Sequence, residues 1–148
     1  MRSCFDVAKY FLAQSNEDAG DLISNLKLQK LVYYAQGFSL ALHDEPIFSE
    51  HIEAWMHGPV VPDLYQEYKS YGSNAIPPPA DFNLAIFSRK ELQLLEDVYD
   101  VYGQYSAWKL RQLTHSEQPW KDNYCEGVSS RQIGLHEMKS YFRENLVK

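Results

Sequence analysis

The sequence predicts a mainly α, single compact helical domain with a small β-hairpin or extended arm. Three observations carry this expectation. Residues 25–42 hold one long amphipathic helix pattern, helix-start signals recur later in the chain at Ser88 with Glu91, at Ser106 and at Gly134 with Glu137, and the only β-like stretch is a short one between Ile47 and Trp55. A chain of 148 residues is the size of one ordinary domain, so residues 1–148 are read as one unit.

The first helix starts at Ser3, a capping residue, with Asp6 three positions on, where the helix dipole favours an acid. Val7, Ala8, Phe11 and Leu12 give its apolar face, and the acid- and glycine-bearing run Asn16–Asp21 reads as a loop. In the second helix, Leu28, Leu31, Val32, Ala35, Phe38, Ser39 and Leu42 fall on one sector. Lys27, Lys30 and Tyr34 flank that sector on one side, with Gln29, Tyr33, Gln36 and Leu40 on the other. Few positions face solvent, so this helix is expected to be central and contacted on several sides. Gly37 costs a helix about 1 kcal/mol against Ala, which close approach by another element would explain.

Beyond it, Ile47–Glu50 and Ile52–Trp55 read as two short extended segments, too close for a parallel crossover. His57-Gly58-Pro59 reads as a turn and Pro62 as the start of a helix carrying Leu64, Tyr65, Tyr68 and Tyr71, closed by Gly72. Ser73–Phe87 is a long connection with an extended Pro77-Pro78-Pro79 strap. Ser88 and Glu91 make a capping box for a helix that Gly103 ends, and Ser106 caps the next, which runs through Leu113. Gly134 and Glu137 open the last helix, whose expected buried stripe is Leu135, Met138, Phe142 and Leu146.

Composition narrows the function classes. Net charge is −6, and residues 1–75 hold 5 Lys+Arg against 10 Asp+Glu, while residues 76–148 hold 9 against 10. Such a balance suits a basic protein partner better than phosphate, so non-specific nucleic-acid binding is not expected. Nothing in the sequence reads as a signal peptide or a membrane span, so no membrane partner is expected and the cytoplasm is the default compartment. Cys4 and Cys125 lack Cys-x-x-Cys spacing and are expected to be free thiols. The histidines form no His-x-x-x-His pair and no His-Glu-x-x-His motif; His51 and His57 with Glu50 and Glu53 are the best ligand-like set, without a spacing that selects a metal geometry. No nucleophile elbow, phosphate loop or dinucleotide fingerprint is present. No catalysis, metal or cofactor is expected.

Three strings occur together: Leu26-Lys27-Leu28-Gln29-Lys30-Leu31-Val32-Tyr33-Tyr34-Ala35; Glu53-Ala54-Trp55-Met56-His57-Gly58-Pro59-Val60-Val61-Pro62 leading into Tyr65; and Leu113-Thr114-His115 followed by Pro119-Trp120. In that order and spacing the chain resembles the Panacea antitoxin domain, the family of SocA-like antitoxins and phage-associated GepA-type proteins. The resemblance runs from about Val7 through Phe142. It implies a cytoplasmic antitoxin that neutralises a cognate protein toxin encoded nearby by direct contact, with delivery of the toxin to a protease as a further implied step. Two other readings stay open: a phage or mobile-element accessory protein that binds some other host or phage protein, and a DNA-binding regulator. The last would need a basic recognition helix, for which Lys109–Arg111 is slight, and the chain has no spare length for an added DNA-binding segment.

Most matched positions are expected to record fold. The docking surface is expected at the Trp55–Pro62 turn and the tyrosine helix after it, with Trp55, His57, Pro59, Tyr65 and Tyr68 as contacts. Glu50 and Glu53, in the acidic half, are expected to face a basic partner. The tyrosines can alternatively pack their helix onto the central one.

Overall fold

Ser3 begins the first element as the sequence predicts. Its hydroxyl accepts the Asp6 amide at 3.1 Å while the Asp6 carboxylate accepts the Ser3 amide at 3.1 Å, a reciprocal cap that opens helix α1 (Cys4–Gln14). The structure is a computed structural model, and it describes residues 1–15, 22–127 and 131–146. The expected loop Asn16–Asp21 lies outside the described residues.

Helix α2 (Asn25–His43) follows, capped by Ser24, and its first 17 residues are buried except for Leu26, which is half-buried. The sector predicted from periodicity is buried except at its end, where Leu42 is 50% exposed. The C-terminal turn of α2 is closed by polar contacts instead of apolar cover. Asp44 leaves the helix in the left-handed region at φ 60°, its carboxylate pairs with Lys139 and Arg143, and Arg143 Nε donates to the Ala41 carbonyl at 3.3 Å.

The extended region differs from its expected register. Strand β1 (Ile52–Trp55) pairs antiparallel with β2 (Gly58–Val60), Trp55 opposite Gly58 and Glu53 opposite Val60. The reversal is the two-residue turn Met56–His57, and Gly58-Pro59 lies in a strand where the sequence reading has a turn. Ile47–Glu50 is not the partner strand. Its backbone is satisfied elsewhere: the Ile47 amide donates to Gln36 Oε1 at 2.9 Å, Gln36 Nε2 donates to the Phe48 carbonyl at 3.0 Å, and the Arg2 amide donates to the Ile47 carbonyl at 3.0 Å. The other side of β1 carries β3 (Arg131–Ile133), Ile52 opposite Ile133, so the sheet order is β2-β1-β3.

Pro62 opens α3 (Pro62–Tyr68), which tightens into a 3-10 turn over Lys69–Tyr71 before Gly72. The connection to residue 87 crosses the surface but is pinned near its start, where the Ile76 amide donates to the Ile23 carbonyl at 2.9 Å and the Ile76 side chain is buried, and again where Phe82 and Ile86 pack against the core. Helix α4 (Arg89–Tyr102) has the predicted capping box, the Ser88 amide donating to Glu91 Oε1 at 2.8 Å and the Glu91 amide to Ser88 Oγ at 3.1 Å. Ser88→Ala is expected to cost about 1 kcal/mol in urea unfolding; no change would show that Glu91 alone holds this end.

Helix α5 (Ala107–His115) is capped by Ser106 and runs two residues past Leu113, the short α6 (Gln118–Lys121) carries Pro119 and Trp120, and α7 (Leu135–Leu146) closes the fold. Met138 and Phe142 of α7 are buried, whereas Leu135, in its first turn, is 46% exposed and does not join the stripe. Helices α1, α4, α5 and α7 all pack on α2, which is therefore the core axis. Gly37 is the close-approach point: a Cβ there would overlap the Phe142 ring edge. Among the described residues, no helix is long and apolar enough to cross a membrane.

Candidate docking cleft at the β1–β2 turn

Buried polar groups of α2 hold the hairpin in place. Lys30 is fully buried, and its ammonium donates to the Pro59 carbonyl at 3.1 Å. Gln29 Oε1 accepts the Val61 amide at 2.9 Å while its Nε2 donates to Asn25 at 3.0 Å. These contacts use the two side chains that the helix pattern places at the margin of the apolar sector. Gly58 has φ 115°, and a Cβ there would lie 2.6 Å from Lys30 Cε and 2.9 Å from Thr114 Oγ1. Only glycine gives both the backbone angle and the room for the lysine.

The turn is braced from α5 and α6. Trp120 Nε1 donates to the Trp55 carbonyl at 2.7 Å, and the His115 ring stacks on Trp120 with centroids 3.8 Å apart. Burial first, then the charges of Arg111 and Lys30, push His115 down to about 4, so the ring is neutral at pH 7. Burial, then Arg111, pushes Lys30 down to about 7.

A cleft of about 410 Å³ opens between the hairpin and the α2–α3 corner. Trp55, Met56, His57, Val60 and Tyr65 line it, with Asn25, Leu26 and Gln29 from α2 and Lys69, Gly72 and Ser73 at the far rim. The Trp55 and Tyr65 rings meet edge to face at 5.1 Å, and Glu53 fixes the indole by accepting Trp55 Nε1 at 2.9 Å. Met56, at the turn, is 60% exposed.

Of the residues expected from sequence, the cleft gathers Trp55, His57 and Tyr65. Pro59 is buried behind it as the acceptor for Lys30. Tyr68 is half-buried against the core and pairs with Tyr71 at 6.4 Å, away from the cleft wall. Glu50 accepts the Cys4 amide at 2.9 Å and so serves the start of α1, while Glu53 binds His51 as well as Trp55. Sequence reasoning placed Met56 within the expected turn surface without naming it as a contact, and missed Lys69 and the pair Trp108 and Arg111 on α5. The i, i+3 spacing of that pair was the available signal. Among the described residues, no group of three or more His, Cys, Asp or Glu could hold a metal ion.

The family model for the antitoxin SocA-like Panacea domain matches residues 28–121, well over half the chain and the part that builds most of the cleft. The chain belongs to the SocA-like Panacea antitoxin family. Antitoxin SocA of Caulobacter vibrioides (strain NA1000 / CB15N) is 43% identical over 54 residues, a stretch covering 36% of this chain and 29% of that protein. The aligned stretch thus spans less than a third of the curated relative. No solved structure matches the chain. Within the Panacea match lie α3 to α6, the β1–β2 hairpin and nearly all of α2; α1, β3 and α7 lie outside it.

Proposed function

We propose that this chain is an antitoxin acting in the cytoplasm, which neutralises a protein toxin encoded beside it by direct contact at the Trp55–Tyr65 cleft. The observation that carries the reading is the cleft itself: an open, aromatic-walled recess beside a turn that exposes Met56, inside the stretch that matches the family. Large rigid rings around a recess give a partner side chain contact area at little entropic cost, the usual composition of a binding hot spot. The reading needs no catalysis, metal or cofactor.

The test is co-expression with the product of the neighbouring reading frame. Wild type is expected to restore growth. Met56→Glu, at an exposed position, is expected to abolish rescue with the melting temperature unchanged; Tyr65→Ala is expected to weaken it. Rescue by Met56→Glu at wild-type level would place the interface elsewhere. Delivery of the bound toxin to a protease is a second step of the same reading, and it predicts a shorter toxin half-life when this chain is present. An unchanged half-life with intact rescue would leave neutralisation by binding alone.

A further inference from the structure

Trp108 is 57% exposed on α5, and the Arg111 guanidinium lies over its ring at 4.6 Å. Arg111 Nε donates to His57 Nδ1 at 3.0 Å, and His57 is itself part of the cleft wall. The guanidinium is therefore held over an indole and against the turn, at the edge of the Trp55–Tyr65 recess. Among the described residues its terminal nitrogens make no hydrogen bond or ion pair. A guanidinium fixed through Nε presents those nitrogens as a ready fork.

The surroundings have the same sign. Lys30 lies buried beneath the hairpin, and the Arg111 charge acts on both Lys30 and His115. In a chain of net charge −6 this is a local positive spot. The carboxylate on the neighbouring strand, Glu53, is occupied by Trp55 and His51.

We infer that the cleft and Arg111 form one composite site for a protein segment that places a large apolar side chain between Trp55 and Tyr65 and a carboxylate on the Arg111 guanidinium. The inference rests on the reading of the cleft as the docking site and adds the chemistry of the partner. A planar fork matches a carboxylate with two parallel hydrogen bonds, and the apolar recess beside it selects what stands next to that acid. Phosphate chains fit poorly. Polyanion affinity grows from many Lys and Arg contacts, whereas this surface offers one fixed guanidinium on an acidic protein. The partner's contact segment is thus acidic at this point, although the excess acid of the chain as a whole favours a basic partner.

The full chain, immobilised, is used to select from a random dodecapeptide library. The strongest peptide is then synthesised with its acid intact and as the matching amide, and both are titrated against wild type, Arg111→Gln, Arg111→Lys and Trp55→Ala, with melting temperatures recorded. Selected peptides are expected to share a large apolar residue close to Asp or Glu. Amidation is expected to weaken binding to wild type about tenfold or more and to leave binding to Arg111→Gln unchanged, the non-additivity of a direct pair. Arg111→Lys should fall between, because it keeps the charge and loses the fork. Peptides that need Trp55 but ignore Arg111 would leave the cleft reading standing and end this inference; peptides that ignore both would end both. Failure to enrich any peptide, or tighter Arg111-dependent binding of a 12-nucleotide single strand than of any peptide, would overturn it.

Discussion

Phe142→Ala is expected to destabilise the fold by about 3–5 kcal/mol, the range for removing a buried aromatic ring. The ring is buried where α7 meets α2, with Tyr141, Tyr33, Tyr34 and Phe38 around it at centroid distances of 5.2, 5.6, 6.0 and 6.3 Å. Aromatic neighbours on several sides limit how far the site can collapse into the void. Gly37 supplies an independent check. In an ordinary helix interior Gly→Ala adds roughly 1 kcal/mol of stability. Here the new methyl group would overlap the Phe142 ring, so Gly37→Ala should destabilise instead. The double variant should lose less than the two single losses added together, since removing the ring makes room for the methyl. Urea unfolding of the three variants measures all of this. A loss below about 1 kcal/mol for Phe142→Ala, outside the usual range for a buried ring, would mean that α7 does not seal α2.

The second large effect depends on pH. Glu117 accepts the Tyr34 hydroxyl at 2.8 Å and the Tyr33 hydroxyl at 3.4 Å. Burial raises its carboxyl from an ordinary 4.5 to about 7, against the two hydrogen bonds, which favour the anion. The folded chain therefore keeps a proton that the unfolded chain releases between those values. This contribution is full below about 4.5 and is lost as pH rises through about 7, an amount of roughly 3 kcal/mol at one pK unit per 1.36 kcal/mol. His115 opposes it: its folded value is lowered from 6.5 to about 4, so its contribution is present above 6.5 and lost as pH falls through about 4. Lys30, lowered from 10.5 to about 7, contributes above 10.5 and loses that contribution as pH falls through about 7. The wild-type profile mixes these slopes, so the informative quantity is a difference. Glu117→Gln keeps an acceptor for the tyrosines and cannot ionise. Its stability relative to wild type should rise between pH 5 and pH 8 by about the amount above. A difference that stays flat would place the carboxyl near its ordinary value.

What the sequence made legible follows from how local each signal is. The caps at Ser3, Ser24, Ser88 and Ser106 all bond the amide three residues on, so Ser3 and Ser88 with their paired acids could be read within four positions. The burial of α2 followed from its spacing, since a helix with no polar face must be covered all round. The sheet was less legible. Ile47-Phe48 is as apolar as a strand, but its backbone partners are Gln36 and Arg2. Strand β3 has three residues, two of them exposed, and is too short to show an alternation. The site was half legible. Trp55, His57 and Tyr65 lie near one another along the chain, whereas Arg111 reaches His57 across 54 positions. The internal use of Glu50 and Glu53 depends on Cys4 and on the indole of Trp55, and no charge pattern reveals such partners.

The order of strands across the sheet also sets an order in time. Strand β1 is flanked by β2, made almost at once, and by β3, made some 75 positions later together with the α7 face that covers Gly37. While a ribosome is still translating the middle of the chain, one edge of β1 and one side of α2 have nothing to close them. A bare strand edge and an uncovered apolar helix face are the features that chaperones and proteases engage. The segment 131–146 thus acts as the latch of a folded state that its predecessors cannot complete, and messages cut short before it should yield chains that are cleared quickly.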